Sequence, residues 1–213
     1  MIKVLGLTGG IGTGKSTAAG FFKDKRFAHI DADQIGRDLT ADGSSILPVL
    51  DELFGPEGEF GDGKTEILDE NGNLIRRAMA SVVFAEERRR ERLDALMFRE
   101  IIGETERLIG MYRQQPESEL NGILLDAPLL FEAGLDDRCD EVLLLTADMD
   151  VRIERVCRRD GVTADEVKNR ISNQMSDEEK IKRADAVVDN SEGIEELFEK
   201  LQDFLTGFLA ERS

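Results

Sequence analysis

The chain has little cysteine, histidine and tryptophan. Among its 213 residues there are two cysteines, one histidine and no tryptophan. Cys139 and Cys157 form no C-x-x-C pair, and with His29 they fall short of the four Cys and His ligands of a structural zinc site. Two isolated thiols are typical of a reducing compartment, so we expect a cytoplasmic protein.

Positive charge is also scarce. Lysine and arginine number 28 against 45 aspartates and glutamates, which gives a net charge of −17. This balance argues against nucleic acids and anionic membranes as partners, because both attract basic surfaces. No apolar run is long enough to span a bilayer, and the N-terminus begins directly with a strand pattern rather than a signal peptide. Any anionic ligand must therefore be held by local groups of arginine and lysine.

One glycine-rich stretch near the N-terminus does carry chemistry. It follows a buried strand pattern, precedes a helical pattern and fits G-x-x-x-x-G-K-[ST] at every fixed position: Gly9, Gly10, Ile11, Gly12, Thr13, Gly14, Lys15, Ser16. Glycines let consecutive N–H groups turn toward a phosphate, Lys15 can reach the β- and γ-phosphates, and the Ser16 hydroxyl can ligate Mg²⁺. The alternative is a glycine-rich turn that matches by chance, but it leaves the flanking strand, the helix and the adjacent Thr17 unexplained.

Acidic residues stand where predicted strands end. Asp31 and Asp33 follow the strand pattern at 27–31, and Asp126 ends the pattern at 122–126. Ligands of open α/β sheets bind at these strand ends. Asp33 could accept a proton from a hydroxyl or support Mg²⁺, or it could cap the next helix; Asp126 could support the metal or its waters, or be a turn residue. The single histidine, His29, lies within a strand and is interpreted as structural.

Two stretches interrupt the alternation of strands and helices. Helical patterns dominate about 33–116, with a helix expected from Gln34, a loop or hairpin at 55–72 and one long helix predicted from 86 to 114. Three helical patterns fill about 148–184, and capping boxes at Thr163 and Ser176 predict the starts of the last two.

Two arginines at about 148–184, Arg155 and Arg159, suit a lid that holds phosphates, since guanidinium groups bind phosphate oxygens bidentately. The alternative is ordinary surface pairing, such as Glu154 with Arg158. Five strand patterns separated by helices predict a parallel sheet covered on both faces.

Taken in order, these motifs resemble the dephospho-coenzyme A kinase family over nearly the whole chain. The glycine loop alone indicates only a nucleotide-binding superfamily, and the ordered set is far more specific. It comprises Leu7–Thr17, Ile30–Asp33, Arg76–Met79 with Val83-Phe84, Pro128–Glu132, Arg159-Asp160, Arg170 with Gln174, and Ala184–Asn190.

The resemblance implies a single kinase domain of α/β class over residues 1–213, with the three-layer fold of the glycine-loop (P-loop) kinases. Its core would comprise about 1–32, 117–147 and 185–213 around the five-stranded parallel sheet. A helical insert at about 33–116 would bind the acceptor, and a helical lid would occupy about 148–184.

The resemblance also implies transfer of the ATP γ-phosphoryl group, with Mg²⁺, to the ribose 3′-hydroxyl of dephospho-coenzyme A, the last step of coenzyme A biosynthesis. Asp33 would be the base, and Lys15 and Arg155 would act on the phosphates. The remaining assignments are a nucleotide site formed by Gly10–Thr17, Arg155 and Asn190, an acceptor site formed by Asp33, Arg76, Leu129 and Arg159, and metal support from Ser16 and, through water, Asp126. Asn190 would lie beside the adenine.

The sequence departs from the family pattern in two places. Phe98-Arg99 stand where the family usually has His-Pro, which predicts a straighter helix there, and Ile75 stands where an Asp usually precedes the Arg-Arg pair. The alternatives are a kinase of another small metabolite or nucleoside monophosphate, a nucleotide-dependent switch or binding protein, and an inactive nucleotide-binding homologue. We expect a monomer or weak homo-oligomer.

Overall fold

Five parallel strands form the centre of the fold in a computed structural model that describes residues 1–116 and 118–210. The strands are β1 (Val4–Gly9), β2 (Phe27–Asp31), β3 (Gly122–Asp126), β4 (Glu141–Thr146) and β5 (Ala186–Asp189). Their order in the sheet is β2-β3-β1-β4-β5, so β1 lies between β3 and β4. The predicted five-stranded parallel sheet is confirmed.

Helices connect these strands. They are α1 (Lys15–Asp24), α2 (Ala32–Leu39), α3 (Leu47–Phe54), α4 (Arg76–Val83), α5 (Glu87–Tyr112), α6 (Met149–Asp160), α7 (Ala164–Ser172), α8 (Asp177–Arg183) and α9 (Ile194–Ala210), with a short 3₁₀ helix at Asp136–Arg138. Within residues 1–116 and 118–210, no helix has the length and apolar character needed to cross a membrane.

The chain folds into two compact units. The sheet unit consists of Met1–Asp31 and the chain from Glu106 onward, and the helical unit consists of Ala32–Thr105. The functional roles expected for a helical insert and a lid stay predictions.

The sheet unit has a dense apolar core. Strands β1 and β3 are buried along their whole length, as expected for parallel strands covered on both faces. Phe22 of α1 is fully buried, and its ring lies 5.3 Å from that of Phe27 in β2. Helices α1 and α9 share one cluster with the strands, which fixes the start of α1 relative to the end of β1.

The helical unit has its own core, built by Leu47, Leu50, Phe54, Val82 and Leu96 among others. The long helix predicted from 86 to 114 is confirmed as α5, which runs through Phe98 and Arg99 without interruption. The hairpin considered for the 55–72 loop is limited to an isolated bridge between Leu68 and Leu74.

Helix starts differ in detail from the prediction. The capping boxes at Thr163 and Ser176 are confirmed, with both reciprocal hydrogen bonds present in each. The helix expected from Gln34 begins at Ala32, immediately after β2. Asp33 therefore lies inside the first helical turn and not at the capping position. In the first turn its negative charge is favoured by the positive end of the helix dipole.

Candidate active site

The glycine loop joins the end of β1 to the first turn of α1. Gly12 and Gly14 have φ angles of +83° and +92°, in the left-handed region that glycine favours. The Thr13 hydroxyl donates to the Gly10 carbonyl at 2.9 Å, which closes the turn from within. The predicted loop thus has the backbone shape in which successive N–H groups can face an anion.

Gly12 should not tolerate a side chain. A Cβ there would lie 2.8 Å from the Arg152 carbonyl oxygen, and its φ disfavours other residues. We expect Gly12→Ala to lower the free energy of unfolding by about 2 kcal/mol or more in urea denaturation. Gly161→Ala is the matched control, since Gly161 has φ +68° but nothing within 4 Å of its Cβ position. Equal losses in the two variants would contradict a steric role for the Arg152 backbone.

Side chains outside the loop hold its carbonyl groups. The Asn190 amide donates to the Thr13 carbonyl at 2.8 Å, and Arg152 Nε donates to the Ile11 carbonyl at 2.8 Å. Both loop carbonyl oxygens therefore have donors from outside the loop, as buried backbone polar groups require. The place of Asn190 beside the adenine stays a prediction, and the contact that the structure gives this residue is with the loop backbone.

Lys15, Asp126 and His29 form a connected group around the carboxyl edge of the sheet. Lys15 Nζ donates to one carboxylate oxygen of Asp126, and His29 Nε2 lies 3.3 Å from the other. Asp126 is buried, with its side chain 8% exposed. The structure therefore places His29 against a site carboxylate, a contact that its position within a strand does not indicate.

The surroundings of Asp126 favour its ionised form. Burial alone would raise the pKa of Asp126, but the hydrogen bond from His29 and the charge of Lys15 outweigh it, and the pKa lies below its usual value. A carboxyl whose pKa is lower in the folded state adds stability above its unfolded pKa of about 3.9, and that stability is lost as the pH falls toward the folded pKa.

The lowered pKa of Asp126 predicts how the stability of an Asp126→Asn variant compares with that of the parent at different pH values. In the absence of nucleotide, the parent should be the more stable protein at pH 7, and its advantage in unfolding free energy should shrink as the pH falls below about 4. Urea unfolding of both proteins between about pH 7 and about pH 3 measures this difference. A difference that stays constant over the range would show that Asp126 gains nothing from ionisation.

The arginines of the predicted lid have different environments. Arg155 has a buried guanidinium nitrogen, Nη1, with no hydrogen-bond partner within the described part of the chain. Arg159 is exposed and pairs with Asp160, its Nε lying 2.6 Å from that carboxylate, and Arg170 pairs with the same acid at 3.2 Å. Arg155 therefore retains donor capacity for an anion, whereas Arg159 is engaged at the end of α6.

A buried lysine fixes the loop that follows β3. Lys180 of α8 is fully buried, and its Nζ lies 3.3 Å from the Pro128 carbonyl and 3.4 Å from the Glu132 carboxylate. The sequence does not reveal this pair, because a lysine within a charged helix resembles a surface residue. The contact holds the segment that carries Leu129, which stays 39% exposed.

Two predicted acceptor residues belong to the helical unit. Asp33 is exposed in the first turn of α2. Arg76 begins α4 and donates to the Thr40 carbonyl at 3.1 Å and to the Thr40 hydroxyl at 3.2 Å. Arg76 also borders a mainly apolar cavity of about 300 Å³, whose walls include Leu50, Leu74, Met79, Val83, Leu93 and Met97.

Known proteins are similar to this chain over nearly its whole length. The sequence model of the dephospho-CoA kinase family matches residues 3–196. A dephospho-CoA kinase from Fusobacterium nucleatum is 34% identical over 204 residues, covering 95% of this chain and 97% of its own, and one from Bacillus licheniformis is 36% identical over 208 residues, covering 96% of each.

Solved structures share the fold. The crystal structure of TT1252 from Thermus thermophilus has a TM-score of 0.75 at 31% identity and covers 97% of both chains. Dephospho-CoA kinase from Campylobacter jejuni has a TM-score of 0.72 at 20% identity over 100% of both, which concerns the fold alone. With a family match over most of its length and relatives above 30% identity, the chain belongs to the dephospho-CoA kinase family.

Proposed function

We propose that this protein transfers the γ-phosphoryl group of ATP to the ribose 3′-hydroxyl of dephospho-coenzyme A, giving coenzyme A and ADP in the last step of coenzyme A biosynthesis. The observation that carries the proposal is the glycine loop with Lys15 paired to Asp126, in a chain that belongs to the dephospho-CoA kinase family. Asp126 ends strand β3, and Lys15 begins α1 after the loop that follows β1, so the pair lies at the carboxyl edge of the parallel sheet, where ligands of such sheets bind.

The phosphoryl group passes directly from ATP to the acceptor with no covalent intermediate on the protein, so the protein contributes charges and positions. Loop N–H groups and Lys15 offset negative charge on the β- and γ-phosphates as the bond to ADP breaks. To do so, Lys15 must exchange the Asp126 carboxylate for phosphate oxygens. Asp33 takes the proton of the acceptor hydroxyl, and Arg155 supplies a guanidinium to the phosphates on closure of the lid, which also excludes water.

Magnesium suits the groups at this site. Mg²⁺ prefers oxygen ligands and is usually held by one or two protein oxygens together with substrate phosphates. The Ser16 hydroxyl lies in the first turn of α1, where the residue is exposed, and the Asp126 carboxylate, whose ionised form is favoured, lies at the end of β3. Ser16 would ligate the ion and Asp126 would hold its waters; when bound, the ion neutralises phosphate charge.

The other assignments stay predictions. They are adenine contact by Asn190, acceptor contact by Arg76, Leu129 and Arg159, a cytoplasmic location, and a monomeric or weakly homo-oligomeric state. The buried bond from Asn190 to the loop gives that residue a second reason to matter for nucleotide binding.

A coupled assay of ADP release tests the proposal. Protein, Mg²⁺ and ATP are combined with dephospho-coenzyme A, and separately with adenosine, AMP and pantetheine as acceptors. We expect ADP release that depends on dephospho-coenzyme A and a product phosphorylated at the ribose 3′ position. Release with another acceptor alone would indicate a different small-molecule kinase, and no release at all would indicate an inactive homologue.

A further inference from the structure

Arg152 is a buried arginine without a role in the mechanism above. It lies in α6 and is 2% exposed. Its Nε donates to the Ile11 carbonyl at 2.8 Å, and its Nη1 donates to the Asp177 carboxylate at 2.7 Å. One guanidinium group thus joins the glycine loop to the first turn of α8.

The loop and the arginine fit each other closely. A Cβ on Gly10 would lie 2.3 Å from Arg152 Nη2, and one on Gly12 would lie 3.0 Å from the Arg152 Cβ. Both distances are too short for ordinary contact, so glycine at these two positions admits Arg152 as well as a ligand. The glycines of the loop therefore also provide a surface against which α6 packs.

The backbone N–H and the backbone carbonyl of Ile11 are both held by side chains from residues 148–184. Arg152 binds the carbonyl oxygen, and the Gln174 side-chain oxygen accepts the Ile11 N–H at 3.2 Å. A buried charge is costly unless it is paired and hydrogen-bonded, and Arg152 meets this requirement through Asp177 and Ile11 together. Arg152 and Gln174 therefore fix the orientation of one loop residue from both sides.

We propose that Arg152 is a positioning residue for nucleotide binding. It orients the Ile11 backbone so that the remaining loop N–H groups converge on the phosphates, and it adds a fixed positive charge behind the loop. Asp177 acts through Arg152 by holding the guanidinium group in place. The inference rests on the proposed function only in requiring that the loop bind a nucleotide.

The test measures ADP affinity by calorimetry, which needs no acceptor. We expect Arg152→Gln to weaken ADP binding about ten-fold and Arg152→Lys to lie between it and the parent, because lysine keeps the charge but not the two-sided geometry. Arg158→Gln is the matched control: Arg158 is exposed on the same helix and pairs only loosely with Glu154, at 3.5 Å. This control should bind ADP like the parent.

A second variant separates positioning from folding. Asp177→Asn should weaken ADP binding about three-fold on its own and add little in an Arg152→Gln background, since both changes act on one contact. In steady-state kinetics, KM for ATP should rise in Arg152→Gln while KM for dephospho-coenzyme A stays within about two-fold.

Some outcomes would overturn the inference. ADP binding equal to the parent in Arg152→Gln, or independent additive effects of the two substitutions, would show that Arg152 only stabilises the fold. If Arg152→Gln does not fold, unaltered ADP affinity in Asp177→Asn leads to the same conclusion. Failure of the parent to phosphorylate dephospho-coenzyme A would refute the proposed function while leaving the ADP titrations interpretable.

Discussion

Lys15→Ala is expected to reduce kcat/KM for ATP by about 10³-fold or more. The substitution removes the one side-chain cation that the loop sequence supplies, and it leaves the buried Asp126 carboxylate with His29 as its neighbour. The negative charge of Asp126 is then no longer balanced by Lys15 and repels the incoming phosphates. The ADP-release assay with saturating dephospho-coenzyme A measures the loss.

Lys23→Ala is the control for this experiment. Lys23 is exposed in the last turn of the same helix. Because both substitutions replace a lysine with alanine, the two variants have the same net charge. The control should retain parental kinetics. Parental kinetics in Lys15→Ala as well would remove the glycine loop from the mechanism.

Asp33→Asn is expected to reduce kcat by about 10²-fold or more while leaving ATP affinity nearly unchanged. Asparagine keeps the size of the side chain and can still hydrogen-bond the acceptor hydroxyl, but it cannot take up the proton. Rapid-mix and steady-state assays at saturating ATP would measure kcat, and calorimetry with ADP would measure nucleotide affinity.

Asp38→Asn is the matched control for Asp33. Asp38 is an exposed acid on the same helix, and its carboxylate accepts a hydrogen bond from Gln34 at 2.6 Å. Its replacement removes one negative charge from α2 while leaving the Asp33 side chain in place, and the amide oxygen of the introduced asparagine can still accept the hydrogen bond from Gln34. If Asp33→Asn and Asp38→Asn both turn over like the parent, Asp33 serves only to favour the start of the helix.

Local patterns account for the features that can be predicted from the sequence. The strands, the glycine loop and the two capping boxes depend on residues that are neighbours in the chain, so spacing and residue type indicate them directly. The long helix α5 is also a local pattern, and its continuity through Phe98 and Arg99 follows from the lack of proline there.

Other residues of the site depend on distant contacts and escape prediction. Arg152 and Ile11 are 141 positions apart, and His29 and Asp126 are 97 apart. Three of the four arginines in α6 look alike in sequence, yet Arg152 is buried on the loop, Arg155 has one unpartnered nitrogen within the described residues and Arg158 is exposed. Helical periodicity places them on different faces, but it does not say which face meets the glycine loop.

The ion pair between Lys15 and Asp126 bears on which anions can compete for the loop. Because the Asp126 carboxylate already pairs with the Lys15 ammonium group, an incoming anion must displace it. The anion therefore gains only the difference between its own attraction to Lys15 and that of Asp126. Chloride or a single inorganic phosphate offers little surplus, whereas a triphosphate chain brings many oxygens and reaches the loop amides at the same time. An internal competitor of this kind favours polyphosphates over the simple salts that surround every protein.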